Sequence, residues 1–348
     1  MSQSPFYCLA FGLGTKNAKN QWLEVFYQAP VFGPNPALLE SVSQILGYEG
    51  GNRDLEINPE QAAALEKNLS SLPVEYQSQV RLLARLKTST RPMVACFLES
   101  DEAPASTPQA YLKLHLLSLR HVKPNHTNLE GIFALLPNVA WTSKGAIDLE
   151  ELADAQLEAR LKGDVLEVSS VDKFPKMTNY VMPAGVRIAH TARVRLGAYL
   201  GEGTTVMHEG FVNFNAGTLG TGMIEGRISQ GVTLDEGSDL GGGASTAGTL
   251  SGGGNIILSI GKACLISANA GTGIPLGDRC IIEAGLYITP GTVVQLMDEN
   301  RKPFKTVKAR ELAGQSDMLF IRNSQTGVVE CRSNQKAIAL NTALHSHN

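Results

Sequence analysis

Glu225 and Arg227 stand two residues apart in the segment "MIEGR" and bring together two side chains that can do chemistry. A positioned carboxylate can accept a proton as a general base or attack an acyl group as a nucleophile. A guanidinium can bind a carboxylate through two parallel hydrogen bonds. The sequence alone also permits a bland interpretation, an exposed loop glutamate beside a solvated arginine, so the surrounding elements have to decide.

A glycine-rich stretch, "GGGAST" followed by "SGGGN", contains Gly242 and Ser245 and would let a ligand approach the backbone closely. It does not fit the known phosphate-binding patterns. Gly261-Lys262 is followed by alanine, so no GxxxxGK[ST] loop is present, and no GxGxxG follows a predicted strand. A nucleoside-triphosphate loop and a dinucleotide fold are therefore not expected.

These residues lie within a six-residue repeat, in which a branched aliphatic residue recurs and a small residue follows four positions later. Neither a helix nor an ordinary strand has this period, and short internal periods are typical of solenoids. Three six-residue units per turn would build a left-handed parallel β-helix, with aliphatic side chains stacked inside and small residues at the corners. The first five aliphatic positions are Ile188, Val194, Leu200, Val206 and Val212.

The repeat loses phase in three places, namely between Thr218 and Ile228, between Leu240 and Ile260, and between Ile266 and Leu276. Positions where a sequence breaks its own local rule are the first places to look for function. We expect the extra residues to leave the winding as loops, which commonly carry chemistry on a rigid scaffold.

The fold class is therefore mainly β, and three regions are predicted. Residues 1–183 form an N-terminal α/β domain with connecting helices, residues 184–298 the left-handed parallel β-helix, and residues 299–348 a C-terminal segment. The glycine distribution supports the middle region, since 24 of 35 glycines lie between Gly185 and Gly291. Before it, Asn58 and Gln61 predict one capping box, and Asp148 and Glu151 another.

Composition excludes several function classes. The net charge of −3 offers no basic field for nucleic acid or an anionic membrane. No secretory signal or apolar run long enough to cross a bilayer is expected. The five cysteines are scattered without a CxxC pair, which favours reduced thiols in the cytoplasm; Cys264 and Cys280 are predicted to be buried filler.

Several longer motifs resemble a known family, the larger-chain class of tetrahydrodipicolinate N-succinyltransferases. The likeness covers nearly the whole chain and is densest from about Ser170 to Gly327. The motifs that carry it are "FPKMTNYVMPAGVRIA", "GTTVMHEGFVNFNAGT", "MIEGRIS", "GSDLGGGAST", "EAGLYIT" and "RNSQTG".

This resemblance implies an activity and an assembly. The activity is transfer of succinyl from succinyl-CoA, the co-substrate, to the amine of ring-opened tetrahydrodipicolinate, 2-amino-6-oxopimelate, in diaminopimelate and lysine biosynthesis. No tightly bound organic cofactor is implied. The assembly is a homotrimer with active sites between neighbouring chains, which agrees with the common use of closed symmetry.

The resemblance also assigns roles to individual residues. Glu225 would be the catalytic glutamate, acting as a general base or as a transient acyl carrier. Ile321 stands where the family is expected to have arginine. The residues implied to bind succinyl-CoA are Arg227, Gly242, Ser245, Ala268, Glu283, Ala284, Gly291, Lys308, Arg322, Asn323 and Ser324.

Glu209 matches a carboxylate that can bind magnesium shared on a trimer axis, although Ala192 stands where some members have a second acidic ligand. A structural ion or no ion at all are the alternatives. His190 and His208 are expected to be packed or hydrogen-bonded, because two histidines do not complete a zinc site.

Two other functions stay open from the sequence. One is a different acyl-CoA-dependent transferase on the same fold, with an acetyl donor or a sugar acceptor. The other is a non-enzymatic coil that binds a partner or a metal on a flat face. An unbroken repeat or a regular threonine ladder would favour that second function, and neither is present here.

Overall fold

The computed structural model of this chain describes residues 6–248 and 257–333. Its contacts divide the chain into two compact units. Unit one comprises Met1–Leu116 and Thr127–Pro175, and unit two comprises Leu117–His126 and Lys176–Asn348. The three regions drawn from the sequence, with boundaries after residues 183 and 298, stay a prediction about which segments fold as domains.

Unit one is mixed α/β, with a five-stranded antiparallel sheet in the order β2-β1-β5-β4, to which β3 adds by pairing with β1. A second, three-stranded sheet has the order β7-β6-β8. The strands are β1 (Cys8–Lys16), β2 (Trp22–Tyr27), β3 (Val31–Phe32), β4 (Arg53–Ile57), β5 (Met93–Leu98), β6 (Val139–Thr142), β7 (Gly145–Asp148) and β8 (Val168–Asp172).

Six α-helices are described, with the last residues of α4 belonging to unit two. The first three pack their apolar sides with β1 and β5 into one core that includes Leu9, Leu65 and Phe97. Every residue of β5 is buried, as its apolar sequence predicted. The helices are α1 (Pro36–Leu46), α2 (Pro59–Leu69), α3 (Gln77–Leu86), α4 (Thr107–Ser118), α5 (Ile132–Leu135) and α6 (Leu152–Leu161).

The first predicted capping box is confirmed. The Asn58 side chain accepts a hydrogen bond from the Gln61 amide at 2.8 Å, and the Gln61 side chain accepts one from the Asn58 amide at 2.9 Å. The second predicted box is wrong, because α6 begins at Leu152 with no side-chain cap. The loop after β1 takes both carboxylates instead: Asn17 donates to Asp148, and the Ala18 amide donates to Glu151.

Unit two contains three sheets that the chain visits in rotation and whose repeat strands pair in parallel, which confirms a mainly-β fold built on the six-residue repeat. The first sheet contains β9 (Arg187–Ile188), β11 (Thr204–Val206), β14 (Gly222–Ile224), β17 (Asp239–Leu240), β20 (Leu265–Ile266) and β22 (Ile281–Ile282). The second contains β12 (Phe211–Val212), β15 (Arg227–Ile228), β18 (Ser245–Thr246), β21 (Gly271–Thr272) and β23 (Tyr287–Ile288). The third contains β10 (Ala198–Leu200), β13 (Ala216–Thr218), β16 (Thr233–Leu234) and β19 (Ser259–Ile260).

The predicted aliphatic positions point inward. Val194, Leu200, Val206 and Val212 are fully buried, whereas Ile188 is half-buried because β9 is the edge strand of the first sheet. Successive windings pair in parallel register. Cys264 and Cys280 are completely buried, as predicted, and all five cysteines are free.

The three interruptions fall at the corners between sheets, and two of them differ from the prediction. We call the connection from the first to the second sheet the first corner, and that from the second to the third sheet the second corner. Only Glu225 and Gly226 separate β14 from β15 at the first corner, whereas four residues separate β11 from β12 and β17 from β18. The first interruption is therefore a shortened corner, not a loop.

The other two interruptions lie at the second corner. The inward positions Thr246 and Ile260 are 14 residues apart, so this corner is lengthened, and residues 249–255 of "GGGASTAGTLSGGGN" lie outside the described part. In the next winding Thr272 and Leu276 are only four residues apart, so the corner is shortened. The ladders keep their register on both sides because the length changes are confined to the corners.

Threonines replace aliphatic residues at the inward positions beside the irregular corners. The Thr272 hydroxyl donates to the Ile274 carbonyl at 2.8 Å and accepts from the Ile274 amide at 3.1 Å. Thr246 similarly accepts from the Ser229 amide at 3.1 Å. These hydroxyls satisfy backbone groups that an altered corner would otherwise leave unpaired.

At each end of the winding, one of the three sheets is covered by residues outside the repeat. At its start, Ser118 donates to the Ala198 carbonyl and accepts from the Gly197 amide, while Arg120 donates to the Leu200 carbonyl. At its other end β26 pairs in parallel with β22, and the first sheet continues through β27, β24 and β25. These strands are β24 (Val293–Met297), β25 (Pro303–Lys308), β26 (Met318–Arg322) and β27 (Val329–Ser333).

Among residues 6–248 and 257–333, no helix has both the length and the apolar character that a membrane crossing needs.

The buried His115 of α4 should make unit one sensitive to acid. Its ring accepts a hydrogen bond from the Tyr27 amide at Nε2, and its Nδ1–H donates to the Tyr111 carbonyl at 2.6 Å, which fixes the neutral tautomer. Burial lowers the pKa of His115 from 6.5 to about 4. The unfolded chain takes up this proton at a higher pH than the folded chain, so falling pH favours unfolding between these values.

We expect the free energy of unfolding to fall by up to about 3 kcal/mol as the pH drops from about 6.5 toward 4. Urea unfolding of the wild type and of His115→Gln across this range measures the effect, and the variant should show a flatter dependence. His126→Gln, at an exposed histidine, is the control. A wild-type stability that stays constant over the range would contradict the assignment.

Candidate active site

The first corner stacks many of the predicted site residues in one column. Glu209, Glu225, Gly242, Ala268 and Glu283 each occupy this corner in a successive winding. Backbone hydrogen bonds connect the levels, for example from the Asn269 amide to the Gly242 carbonyl at 2.8 Å and from the Gly285 amide to the Ala268 carbonyl at 2.9 Å. Side chains far apart in sequence therefore share one edge of the second sheet.

Glu225 lies in a notch of this column. Its corner is two residues shorter than those of the neighbouring windings, so the chain is drawn in at this level. The Glu225 amide donates to the Leu240 carbonyl at 2.7 Å, and the side chain is half-buried. Its Oε2 lies 3.4 Å from the position that a Cβ would take on Gly242, so the glycine leaves that side of the carboxylate open.

Gly226 is what permits the shortened corner. A Cβ on this residue would lie 2.9 Å from the Gly241 carbonyl oxygen and still closer to that of Ala244. The Arg227 amide donates to the same Ala244 carbonyl at 2.8 Å. The two windings touch through backbone at this point, and no side chain fits between them.

Arg227 and Ser245 face outward from adjacent strands of the second sheet and are paired in register. The guanidinium donates to the Ser245 hydroxyl from Nε at 3.1 Å and from Nη2 at 2.8 Å. In the described part of the chain, no carboxylate forms an ion pair with Arg227. Its charge is therefore available to a bound anion.

A cleft of about 520 Å³ runs over the outer side of the second sheet and along the second corner. It begins at Arg227 and ends at Pro290, and its size suits a small organic ligand or part of a larger one. Its lining residues are Arg227, Ser229, Thr246, Ala247, Gly273, Tyr287, Thr289 and Pro290.

The remaining predicted residues form two separate groups. Gly291 follows Pro290 at the end of the cleft, and Lys308 is the last residue of β25; both are exposed. Next to Lys308, Arg310 contacts the same end, because its amide donates to the Pro290 carbonyl at 3.2 Å. Arg310 was missed by the sequence analysis.

Arg322, Asn323 and Ser324 lie instead at the end of the first-corner column. The Arg322 amide donates to the Glu283 carboxylate at 2.8 Å, and its guanidinium donates to the Gly327 carbonyl at 3.0 Å. Ala284 follows Glu283 and is exposed. The structure thus places Lys308 near the cleft and Arg322 near the column, although the sequence analysis grouped them.

Glu209 is engaged by neighbouring cationic and imidazole groups. The His208 ring lies 2.9 Å from one carboxylate oxygen, and Arg193 donates to the other at 3.0 Å. His208 and then Arg193 hold the pKa of the Glu209 carboxyl below its usual range. His190 and His208 are exposed and contact each other edge-to-face, and with the His208–Glu209 hydrogen bond this agrees with the packed or hydrogen-bonded role expected for them.

The cleft also contains residues that sequence reasoning missed, above all Tyr287. Tyr287 is 43% exposed and lies at an outward position of the repeat. Its ring covers Gly271 on the neighbouring strand. An aromatic residue at an outward position opposite a glycine was the available signal. Sequence periodicity identifies only which residues point inward.

The site contains a half-buried carboxylate, Glu225, close in sequence to Arg227. No acidic side chain in the described residues neutralises this arginine. The cleft that begins at Arg227 has hydroxyl-bearing side chains along its walls, from Ser229 to Thr289. Such a set can accept a proton from a nucleophile and bind a substrate carboxylate. In the part of the chain that the structure describes, no cluster of three His, Cys, Asp or Glu side chains could hold a metal ion.

Comparison with family profiles places three matches along the chain. Residues 64–134 match the profile "Tetrahydrodipicolinate N-succinyltransferase N-terminal", and residues 136–176 match "Tetrahydrodipicolinate N-succinyltransferase middle". Residues 257–290 match "Hexapeptide repeat of succinyl-transferase".

Known proteins resemble the chain over its full length. A 2,3,4,5-tetrahydropyridine-2,6-dicarboxylate N-succinyltransferase from Pseudomonas paraeruginosa is 65% identical over 348 residues, all of both chains. One from Vibrio cholerae is 51% identical over 99% of each. A solved Campylobacter jejuni structure that carries the name 2,3,4,5-tetrahydropyridine-2-carboxylate N-succinyltransferase is 32% identical, with a TM-score of 0.87 over 97% of this chain and 94% of that one.

The shortened corner should not tolerate a side chain at Gly226. We expect Gly226→Ala to destabilise unit two by about 1–3 kcal/mol, because the methyl group would push the two windings apart. Gly291→Ala is the matched control, since no atom lies within 4 Å of a Cβ built there. Thermal unfolding of the two variants measures the difference, and equal stabilities would show that the corner relaxes without cost.

Proposed function

The chain belongs to the tetrahydrodipicolinate N-succinyltransferase family, and we propose that its shortened first corner and the cleft beside it carry out that family's reaction. The protein is an acyltransferase that transfers a succinyl group from succinyl-CoA to tetrahydrodipicolinate in diaminopimelate and lysine biosynthesis. The family and the activity predicted from the sequence are confirmed by relatives that match the whole chain.

The observation that carries the site proposal is the position of Glu225. A two-residue corner draws this carboxylate into the column, and Gly242 leaves space beside it. Arg227 follows on the adjoining strand and opens onto the cleft. A reactive carboxylate and a carboxylate-binding group are thereby adjacent on one rigid scaffold.

In the proposed step, the acceptor amine attacks the carbonyl carbon of the succinyl thioester. A carbon–nitrogen bond forms, the carbon–sulfur bond breaks, and the CoA thiol leaves. The amine loses a proton to Glu225 as general base, and this proton passes to the departing sulfur, so that CoA leaves as the free thiol.

A second route assigns Glu225 a covalent role. Its carboxylate attacks the thioester first, and a mixed anhydride forms as the carbon–sulfur bond breaks and CoA leaves as a thiolate. The amine then attacks the anhydride, which forms the amide and releases the Glu225 carboxylate, and the proton lost by the amine leaves CoA as the free thiol. Both routes use the same residue in the same place.

For the donor, we propose that succinyl-CoA lies against the first-corner column and the adjoining cleft. Gly242, Ala268 and Ala284 present backbone and small side chains along the column, beside the Glu283 carboxylate that accepts from the Arg322 amide. Arg227 and Ser245 face the cleft. Gly291 with Lys308 at the end of the cleft, and Arg322 with Asn323 and Ser324 at the end of the column, offer cations and polar groups suited to phosphate.

For the fold and assembly, we propose a left-handed winding, because the small residues at the corners and the inward aliphatic residues suit a three-sheet coil of that hand. We also propose a homotrimer in the cytoplasm, with small-molecule substrates and no nucleic-acid or membrane partner. The match of residues 257–290 to the succinyl-transferase hexapeptide repeat supports the coiled fold on which this assembly would be built.

Magnesium at Glu209 would require that trimer. One chain offers a single exposed carboxylate, already bonded to Arg193 and His208, whereas Mg²⁺ prefers an octahedral set of oxygen ligands. Three chains would bring three such carboxylates together. Bound there, the ion would supply positive charge between the chains.

Sedimentation equilibrium is expected to give three times the mass of one chain. Titration calorimetry with magnesium should then show one ion per three chains, and Glu209→Gln should abolish that binding without changing the mass. A monomer would refute the assembly. A trimer without magnesium uptake would refute the ion site alone.

The activity itself is tested by thiol release with succinyl-CoA and tetrahydrodipicolinate, using acetyl-CoA as the alternative donor. We expect a clear preference for succinyl-CoA, and equal rates would favour a different acyltransferase. Glu225→Gln should lower turnover about 100-fold or more while the melting temperature stays within about 1 °C. Full turnover in this variant would remove Glu225 from the mechanism.

A further inference from the structure

The outward side chains of the second sheet form a column that crosses the cleft. Phe211, Arg227, Ser245, Gly271 and Tyr287 occupy the same register position in successive strands. The family resemblance gives roles to Arg227 and Ser245 and none to Tyr287. Tyr287 lines the cleft and is partly exposed.

Arg227 and Tyr287 lean toward each other over the small residues between them. The Arg227 guanidinium reaches one strand along and bonds the Ser245 hydroxyl. The Tyr287 ring reaches one strand in the opposite direction and covers Gly271, where its carbons occupy the space a Cβ would need. Gly271 is buried and has no side chain to hold the two apart.

The distance between the ends of the Arg227 and Tyr287 side chains follows from the spacing of the strands. Neighbouring strands lie about 4.8 Å apart, so the backbones of Arg227 and Tyr287 are about 14 Å apart across three steps. Because each side chain crosses one step, their ends lie over adjacent strands, about 5 Å apart. A carboxylate fits between two donors at this separation.

Both groups have hydrogen-bonding capacity left over. The Arg227 guanidinium donates to the neutral Ser245 hydroxyl, and no acidic side chain within residues 6–248 and 257–333 pairs with it. Over the same residues, the Tyr287 hydroxyl has no hydrogen-bond partner. A charged and a neutral donor with no acidic partner thus line one cleft, and Arg227 at its start follows Glu225 by two residues.

We propose that Tyr287 is a specificity-determining residue whose hydroxyl, together with Arg227, binds a substrate carboxylate. This inference rests on the proposed function, in which both the succinyl group and the acceptor carry carboxylates. A site built to hydrogen-bond such a group rejects an analogue that lacks it, because the donors are then left unpaired. The pair therefore contributes to the choice of succinyl over acetyl donors, or to recognition of the acceptor.

Tyr287→Phe tests the inference because it removes the hydroxyl and keeps the ring over Gly271. A hydrogen bond to a charged group contributes about 1.5–3 kcal/mol, so kcat/KM should fall about 10- to 150-fold with the melting temperature unchanged. The fall should lie in the KM for succinyl-CoA if the donor's carboxylate is bound, and in the KM for tetrahydrodipicolinate if the acceptor's is bound. In the first case, turnover with acetyl-CoA should be unaffected.

Tyr199→Phe is the matched control, since Tyr199 lies on β10 of the third sheet, away from the cleft lining. A double-mutant cycle with Arg227→Gln provides an independent check. If both side chains bind one carboxylate, the double variant should lose less than the product of the two single losses.

The outcomes separate the two proposals. A wild-type protein without succinyl transfer would refute the proposed function. An active wild type with a Tyr287→Phe variant of unchanged kcat/KM, or with single losses that multiply in the double variant, would refute the shared carboxylate site alone.

Discussion

The hydrogen-bond ladder between successive windings is the constraint on which the rest of unit two depends. Each inward residue must return to its own column, as Val206 does over Ile188, or the ladder loses register and buried side chains change sides. The strands can therefore neither gain nor lose residues. Only the corners can change length, and all three departures from the six-residue repeat occur there.

This constraint also explains where the candidate site lies. The shortened first corner holds Glu225, while the lengthened and shortened second corners carry Ala247 and Gly273 on the cleft wall. The second sheet lies between these two corners and supplies Arg227 and Ser245. Irregular corners at both edges of one regular sheet thus shape a reactive face without disturbing the core.

Inward threonines form hydrogen bonds with backbone groups at these corners. Thr246 and Thr272 are buried in a column that is otherwise mainly aliphatic, and each hydroxyl bonds backbone atoms of a neighbouring corner. An unpaired buried amide or carbonyl would cost free energy comparable to a lost hydrogen bond. The same residues that interrupt the sequence pattern therefore stabilise the structure that results.

Much of this architecture could be predicted from the sequence, because the period of six directly reports the inward residues. The prediction that the interruptions form loops was wrong for two of the three, since a lost phase does not say whether residues were added or removed. The capping box of Asp148 and Glu151 failed because amides of residues 17 and 18, remote in sequence, compete for the carboxylates. No feature of the sequence near Asp148 and Glu151 indicates this competition.

The candidate site, too, could be predicted from the sequence only in part. The positions of Glu225 and Gly242 followed from the interruptions and the family motifs. The separation of Lys308 from Arg322 did not, because it depends on how β24 to β27 fold back on the first sheet. Tyr287 was missed because an outward residue in a repeat is not distinguished from ordinary surface.

The residues that cover the ends of the winding also affect how the protein associates with other molecules. A stack of parallel strands exposes unpaired amides and carbonyls at its terminal rungs, and like surfaces from other molecules could add there indefinitely. Ser118 and Arg120 occupy such groups with side chains at one end, and β26 pairs at the other. Edge-to-edge addition is thereby opposed at the first rung of the third sheet and at the last repeat rung of the first sheet, by a few residues distant from the chemistry.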